Sequence, residues 1–331
     1  MKSTFIIAEA GVNHNGNLDM ARQLIDVAVD SGADAVKFQT FKAESLVSRS
    51  ARPASYQKGY TSQYDLLHAL ELSPSDHLNL MDYCQQKGIL FLSTPFDEDS
   101  ATFLFNLGIP IFKIPSGEIT NLPFLRHVAG FKKPVILSTG MATFEEIDQA
   151  LLELKEAPVM TLLHCTSAYP CPYEEVHLNV IPRMMFTFNC SVGYSDHTLG
   201  SAVAIAAVAK GATVIEKHLT LDCLLPGPDH KASMMPNEFK KMIADIRIVE
   251  KALGSFEKQV QPSELDTKAV ARKSIVTINP ISKGQLLTMN NVAIKRPGTG
   301  ISPAFLSQVL GKKAKLNLAS DYPLSWDDLD G

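Results

Sequence analysis

Eight short apolar runs, separated by stretches with helical spacing, constrain the fold of this chain more than any other feature. Most of the intervening stretches begin near Asp, Asn, Ser or Thr and end near Gly, as capped helices do. Continuous apolar strands that alternate with helices are typical of a parallel sheet with both faces covered. The runs lie at residues 5–8, 35–38, 89–93, 109–114, 135–138, 159–164, 191–194 and 213–216.

The number of runs favours one architecture within this class. A (β/α)8 barrel, or TIM barrel, closes with eight strands, whereas an open doubly wound sheet has no fixed count. We therefore predict an α/β fold with a barrel over residues 1–254 and its last helix at 238–253. Residues 255–267, which include Pro262 and mixed charges, are expected to form a linker. Residues 268–331 lack helical spacing and predict a small module of short strands and turns.

Composition excludes several classes of function. A net charge of −4 over 331 residues gives no basic surface for nucleic acid. The five cysteines are scattered without a CxxC pair, which argues against a zinc ribbon or a disulfide framework and favours the cytoplasm. The N-terminus meets Glu9 too early for a signal peptide. Since no apolar stretch has the length of a membrane span, we expect no membrane partner.

A long polar excursion, residues 41–74, follows the second run. Excursions of this length in a compact barrel are often lids over the site. A surface insertion without a role in function is the alternative, and the sequence does not decide between them.

Almost every predicted strand ends in a polar or ionisable side chain. Active sites of (β/α)8 barrels are assembled at the carboxyl ends of the strands from residues far apart in sequence. One polar strand end is unremarkable, but eight together predict a site. The strand ends carry Glu9, Lys37 with Gln39, Thr94, Lys113 with Ser116 and Glu118, Ser138 with Thr139, His164 with Thr166 and Ser167, Ser195 with His197, and Glu216 with His218.

Lys37 and Lys113 follow apolar runs, which places both ammonium groups at the barrel mouth. Two lysines among serine and threonine hydroxyls suit a phosphate and a carboxylate, because charge neutralises the anion and hydroxyls supply directed donors. A lysine could instead only pair with Glu9 or Glu118. A Schiff-base lysine is a third interpretation, since two close lysines lower each other's pKa.

His197 and His218 lie at the ends of the seventh and eighth runs. Parallel strands end at one edge of a sheet, so the two imidazoles are expected to converge on a metal ion, unless they are structural histidines. Imidazole alone suits zinc or iron, but catalytic zinc needs a third protein ligand that the sequence does not show. Most coordination positions of such an ion would be left to water and substrate.

Ordered motifs along nearly the whole chain resemble the sialic acid synthase family. They are IIAEAGVNHNG, VKFQT, STPFD, FKIPSGE, ILSTGM, LLHCTSAYP, GYSDHTLG, EKHLTLD and GPDHKAS, and the C-terminal RKSIVTINPISKGQLLT and VAIKRPGTGI resemble its SAF (antifreeze-like) domain. The resemblance implies condensation of phosphoenolpyruvate with an N-acetylated aldose, N-acetylmannosamine or 2,4-diacetamido-6-deoxy-mannose. The product would be a nine-carbon 2-keto acid, N-acetylneuraminate or legionaminate, formed with C–O cleavage.

The resemblance also implies roles for individual residues. It assigns a divalent metal, Mn²⁺ or Mg²⁺, to His197 and His218, and an acid–base role to Glu118. It assigns Arg296, from the SAF domain of a partner subunit in a domain-swapped homodimer, to the sugar. The remaining sugar contacts are Glu9, Tyr169 and Asp229, and the phosphoenolpyruvate contacts are Lys37, Thr94, Lys113, Ser116, Ser138, Ser167 and Ser195.

Three alternatives remain open from the sequence. One is a Schiff-base lysine aldolase on the same barrel. The second is a pseudaminic acid synthase within the same family. The third is a non-catalytic barrel that supports a carbohydrate- or ice-binding module, although a scaffold would not need lysines at its mouth.

Overall fold

The computed structural model describes residues 3–51 and 62–330 and divides into two compact units, which separate between Gly254 and Ser255. In the first unit, eight parallel strands are hydrogen-bonded in the order β3-β2-β1-β8-β7-β6-β5-β4, and β3 lies beside β4 so that the ring closes. The predicted (β/α)8 barrel is confirmed. The strands are β1 (Phe5–Gly11), β2 (Ala35–Thr40), β3 (Leu90–Pro95), β4 (Phe112–Ile114), β5 (Val135–Ser138), β6 (Met160–His164), β7 (Ser191–Asp196) and β8 (Val214–His218).

Helices surround the barrel, and their ends follow the capping chemistry of the sequence. Asn17, Ser73, Asp97 and Thr143 cap helix N-termini through their side chains. No helix in the described part of the chain is both long and apolar enough to cross a bilayer. The helices of this unit are α1 (Leu18–Ser31), α2 (Ala43–Leu46), α3 (Gln63–Leu70), α4 (Pro74–Lys87), α5 (Glu98–Leu107), α6 (Leu122–Gly130), α7 (Phe144–Glu153), α8 (Val180–Phe188), α9 (Ala202–Ala209) and α10 (Pro236–Leu253).

The barrel interior changes from apolar to polar over two residues along each strand. An apolar cluster built on Ile7, Ala35, Leu92, Ile136 and Leu163 fills the deeper part. Because side chains alternate with a period of two in a strand, the residue two positions on also faces inward. We call those eight inward residues the polar ring: Glu9, Lys37, Thr94, Lys113, Ser138, Cys165, Ser195 and Glu216, all of them buried.

Gly193 lies in the deeper apolar layer on β7. Neighbouring residues occupy the space that a side chain at this position would need. A Cβ on this residue would come within 2.5 Å of the Val214 carbonyl oxygen and 2.6 Å of Leu163 Cδ2. The absence of a side chain therefore allows β7 and β8 to approach and Leu163 to occupy the interior below Ser195.

The second unit is a small module with its own core. Its two antiparallel strands are β9 (Ser274–Thr277) and β10 (Val292–Lys295), preceded by α11 (Leu265–Ala271) and followed by α12 (Leu306–Val309). The last residues of the expected linker 255–267 are thus helical. The core of the module is formed by Ile275, Ile281, Leu287, Ile301, Val309 and Leu324, among others.

We predict that Gly193→Ala destabilises the barrel by about 1–3 kcal/mol, because the added methyl group overpacks a layer with no room for it. The free energy of unfolding from urea titration measures the effect. Gly130→Ala is the matched control, since a Cβ at the end of α6 meets nothing within 4 Å. The explanation fails if the two variants are equally stable.

Candidate active site

A cavity of about 540 Å³ opens above the polar ring, and it gathers nearly all the residues singled out from the sequence. Every member of the ring lines it. So do side chains that follow the strands in the loops. The predicted site residues that line the cavity are Glu9, Lys37, Thr94, Lys113, Ser116, Ser138, Ser167, Tyr169, Ser195, His197, His218 and Asp229.

Two lysines and two glutamates form an alternating charge cluster on the cavity floor. Lys37 Nζ lies 2.6 Å from Glu9 Oε2 and 3.7 Å from Glu216 Oε2, and it donates to Thr94 Oγ1 at 2.9 Å. Lys113 Nζ lies 3.2 Å from Glu216 Oε1. The lysines therefore pair with carboxylates and also line the cavity, but the partner of Lys113 is Glu216 rather than Glu118. Buried charges persist in a protein only when they are paired in this way.

The two carboxylates of this cluster titrate differently. Burial raises the pKa of Glu9 to about 7, against the opposing effect of Lys37. Glu216 is equally buried, but Lys113 and Lys37 together hold its pKa at about 2. Glu216 also accepts a hydrogen bond of 3.0 Å from Ser195 Oγ. Glu216 is therefore the permanently ionised carboxylate of the pair.

Gly140 leaves room for the side chains of Ser116, Cys165 and Ser167, which line the cavity with Lys113. Its backbone N–H donates to Ser116 Oγ at 2.9 Å. A Cβ at this position would come within 2.3 Å of Ser167 Oγ and 2.9 Å of both Ser116 Oγ and Cys165 Sγ. Ser138 Oγ is buried and has no hydrogen-bond partner. Hydroxyls that converge around a glycine beside a buried lysine suit an anion such as phosphate or carboxylate.

The two imidazoles meet at the neighbouring ends of β7 and β8, with ring centroids 5.6 Å apart. His197 Nδ1 lies 2.7 Å from the carbonyl oxygen of Thr166. A carbonyl can only accept, so Nδ1 carries the proton and Nε2 keeps its lone pair. The ring of Tyr169 packs against His197 with centroids 4.2 Å apart.

This arrangement fits a divalent ion held by two imidazoles. Burial lowers the pKa of both rings, and for His218 the proximity of His197 adds to the effect, so both are neutral. His218 Nδ1 is buried without a hydrogen-bond partner. Metal-ligating histidines commonly donate their other N–H to a carbonyl, as His197 does. The described residues offer no cluster of three or more His, Cys, Asp or Glu that could hold a metal ion, so other ligands would come from water or substrate.

The loop after β8 carries Asp229, and the turn after β1 holds that loop in place. Asn13 Nδ2 donates to the Leu219 carbonyl and to Ser233 Oγ, each at 2.8 Å, and Ser233 Oγ donates to the Asp229 carbonyl at 2.7 Å. Burial raises the pKa of Asp229 to about 6. Asn13 and His14 themselves are not among the described residues that line the cavity.

Two predicted site residues are not among the described residues that line the cavity. Glu118 ends a short 3-10 turn, Ser116–Glu118, and its Oε2 accepts from Asn121 Nδ2 at 2.7 Å. In the described chain the cavity reaches Ser116 and Gly117 but not Glu118, so the structure does not support its expected acid–base position. Arg296 belongs to the second unit, where it is exposed directly after β10.

Part of the excursion 41–74 contributes directly to the cavity. Four residues of α3 line it: Gln63, Leu66, Leu67 and Leu70. Residues 52–61 of the excursion lie outside the described residues. The described part of the excursion therefore forms part of the cavity lining.

Sequence reasoning missed several residues that the cavity brings together. Glu216 was noted only as a strand end, and its partners on β2 and β4 could not be known without the register. Cys165 was overlooked next to His164, which faces outward and contacts the Val176 carbonyl at 2.6 Å. The period-two alternation was the available signal, since Cys165 lies two residues after the apolar Leu163.

Comparison with known proteins identifies the two parts of the chain. Residues 24–258 match the NeuB family, and residues 272–330 match the SAF domain. The chain is 46% identical to N,N'-diacetyllegionaminic acid synthase of Legionella pneumophila, over 98% of this chain and 94% of the relative. It is 48% identical to the protein of the same name from Campylobacter jejuni, over 97% and 98%. The solved N-acetylneuraminic acid synthetase of Leptospira borgpetersenii matches with a TM-score of 0.74 and 35% identity, over 80% of this chain and 90% of that one.

We predict that Glu216→Gln destabilises the protein by about 3–5 kcal/mol at pH 7, because it leaves two buried lysines without their shared counter-charge. Glu9→Gln is the matched isosteric control. It should cost less, since the raised pKa of Glu9 means that its carboxyl is partly protonated at neutral pH. Urea denaturation of both variants measures the difference, and a larger loss for Glu9→Gln would contradict this view of the charge cluster.

Proposed function

The chain belongs to the NeuB family, and on that premise we propose that it condenses phosphoenolpyruvate with an N-acetylated aldose. The product is a nine-carbon 2-keto acid of the sialic acid type, released with phosphate. One observation carries the proposal: two buried lysines, several serine and threonine hydroxyls and two imidazoles line the same cavity. The lysines and hydroxyls suit the anionic phosphoenolpyruvate, and the imidazoles suit a metal ion that would polarise the aldehyde of the sugar beside it.

The anion site accounts for phosphoenolpyruvate. Lys37 and Lys113 supply positive charge, and the hydroxyls around Gly140 supply directed donors for phosphate and carboxylate oxygens. The preformed hydrogen bonds of the ring cost little reorganisation when the substrate binds. The substrate is thereby oriented for reaction at C3.

A divalent ion, Mn²⁺ or Mg²⁺, is proposed at His197 and His218. When bound there, it supplies Lewis-acid polarisation of the sugar aldehyde. The carbonyl of Thr166 holds the proton of His197 on Nδ1, so Nε2 would be the atom that binds the ion, and the ring of Tyr169 packs against the same imidazole.

The proposed reaction forms one carbon–carbon bond between the substrates and one C–O bond from water to C2, and it breaks the C–O bond between C2 and phosphate. C3 of phosphoenolpyruvate attacks C1 of the open-chain sugar, and the aldehyde oxygen becomes a hydroxyl group after it gains a proton. Water adds to the cation at C2 and loses a proton, and the resulting tetrahedral centre expels phosphate to give the ketone. Proton transfer falls to Glu9 and Asp229, which line the cavity and whose pKa values burial raises, rather than to Glu118.

Phosphate release from phosphoenolpyruvate with a panel of acetamido sugars tests the function. We expect release with N-acetylmannosamine or with 2,4-diacetamido-6-deoxy-mannose, and removal of divalent ions by a chelator should stop it. Oxygen-18 placed in the bridging C–O–P position should leave with phosphate. Its retention in the keto acid would refute C–O cleavage, and no release with any sugar would refute the synthase.

A Schiff-base aldolase is the second candidate, because burial lowers the pKa of Lys113. Such an enzyme would be trapped covalently by borohydride with a keto acid and would be indifferent to chelators. The proposed synthase should give the opposite result in both measurements. The ion pair between Lys113 and Glu216 favours the synthase, because the carboxylate at 3.2 Å stabilises the charged form of the amine.

We also propose a homodimer in which Arg296 of one subunit completes the site of the other. This is tested by mixing two inactive variants, Arg296→Ala and His218→Ala, under conditions that allow subunit exchange. If Arg296 acts across subunits, one site of each mixed dimer is intact, and activity should return to as much as about a quarter of wild type. If Arg296 serves its own barrel, both sites stay defective and the mixture stays inactive.

A further inference from the structure

A buried ion pair stands next to the two imidazoles in sequence but on the other face of their strands. Asp196 precedes His197 at the end of β7, and Lys217 precedes His218 at the end of β8. Because side chains alternate between the two faces of a strand, Asp196 and Lys217 point away from the barrel interior, toward the surrounding helices. Neither is among the described residues that line the cavity.

The pair is closed off from solvent, and its polar atoms bond to one another and to Thr198. Lys217 Nζ lies 2.7 Å from Asp196 Oδ2 and donates to the carbonyl oxygen of Thr198 at 2.6 Å. The other carboxylate oxygen, Asp196 Oδ1, accepts from the backbone N–H of Thr198 at 2.9 Å and from its hydroxyl at 2.8 Å. We call Asp196, Lys217 and Thr198 the strand clamp.

The strand clamp holds the backbones of the two histidines relative to each other. Asp196 and Lys217 are partners in the register of β7 and β8, so the ion pair ties the strands at their last paired position. Thr198 directly follows His197, so the clamp holds the chain on both sides of that residue. His218 Nδ1 has no hydrogen-bond partner that would orient its ring, so the position of the ring depends on the end of β8.

We propose that Asp196 and Lys217 are positioning residues that set the separation of His197 and His218 for a divalent ion. The inference rests on the proposed function, which assigns the ion to these two imidazoles, whose ring centroids are 5.6 Å apart. The pair acts through the backbone of its neighbours and touches neither substrate nor ion.

Stability alone is a weak reason for such a pair. Desolvation of two buried charges offsets much of their attraction, and apolar side chains of similar volume often stabilise a protein equally well. Apolar side chains would fill the same space, but they would have no bonds directed from β8 to the chain on either side of His197. The pair therefore contributes a defined geometry that an apolar pair would not.

The decisive variant exchanges both partners, Asp196→Asn with Lys217→Met. Asn keeps a side-chain oxygen for Thr198, and Met fills the volume of the lysine stem, so the bonds between the strands are what is lost. Because no unpaired charge is left, the midpoint of urea unfolding should stay near that of wild type. The dissociation constant of Mn²⁺ alone, measured from the electron paramagnetic resonance signal of the free ion, should rise by about 10- to 100-fold, the usual effect of losing residues that orient metal ligands.

Asp34→Asn with Arg247→Met is the matched control. Asp34 Oδ2 lies 3.3 Å from Arg247 Nη2 and accepts from the backbone N–H of Ile6 at 2.7 Å. Asp34 directly precedes β2, so this pair lies at the opposite end of the barrel from the imidazoles. The control should bind Mn²⁺ with wild-type affinity.

Kinetics give a second measurement on the variant of the strand clamp. Excess Mn²⁺ should restore its kcat, because both imidazoles remain, and its KM for phosphoenolpyruvate should stay at the wild-type value. If the double variant does not fold, Thr198→Val decides, since it removes only the hydroxyl bond to Asp196. A folded Thr198→Val protein should bind Mn²⁺ more weakly than wild type.

Unchanged Mn²⁺ affinity in the folded double variant, or in Thr198→Val where that variant decides, would overturn the positioning role and leave the proposed function standing. An equal loss of affinity in the control would do the same, because the effect would then be one of general stability. A wild-type protein that binds no Mn²⁺, or a His218→Ala variant that binds it fully, would overturn the metal site and the positioning role with it.

Discussion

Lys37 and Lys113 are buried inside a barrel, and Glu216 makes their burial possible. Its two carboxylate oxygens lie 3.7 Å and 3.2 Å from the two ammonium groups. A buried charge without a partner costs several kcal/mol, so neither lysine could be held there alone. The cavity depends on this balance, because the lysines are the only ammonium groups among the described residues that line it.

The balance in turn depends on the apolar layer below it. Each charged side chain follows a small or apolar residue by two positions in its strand. Because side chains alternate between the two faces of a strand, both residues point into the barrel interior. The register brings Glu9 opposite Lys37 and Glu9 opposite His218 on neighbouring strands. Ser138 Oγ and His218 Nδ1 are left buried without hydrogen-bond partners. Such atoms have a cost in the free protein, and a ligand that satisfied them would recover it.

The sequence was sufficient for the barrel and for most of the cavity lining, because both follow from local pattern. Apolar runs predict strands, and in a (β/α)8 barrel the carboxyl ends of all eight strands lie at one face, so no knowledge of individual contacts is needed. The pairing of Lys113 with Glu216 instead of Glu118 needed the strand register, which no local pattern encodes. The position of Cys165 in the cavity lining was not predicted, because its ionisable neighbour His164 ends the same apolar run and was expected to face inward. The contribution of α3 was not predictable, because leucines of a surface helix look alike whether they meet the barrel or a substrate.

The cavity lining contains two groups of residues that pack separately. The polar ring is committed to charge balance, so exchange of any one member disturbs its neighbours. Val12, Leu66 and Leu70 also line the cavity, but together with Phe41 they form a small apolar core that is separate from the core of the barrel. A substitution in this second core can therefore change the shape of the cavity and leave the ion pairs between Lys37, Lys113, Glu9 and Glu216 in place.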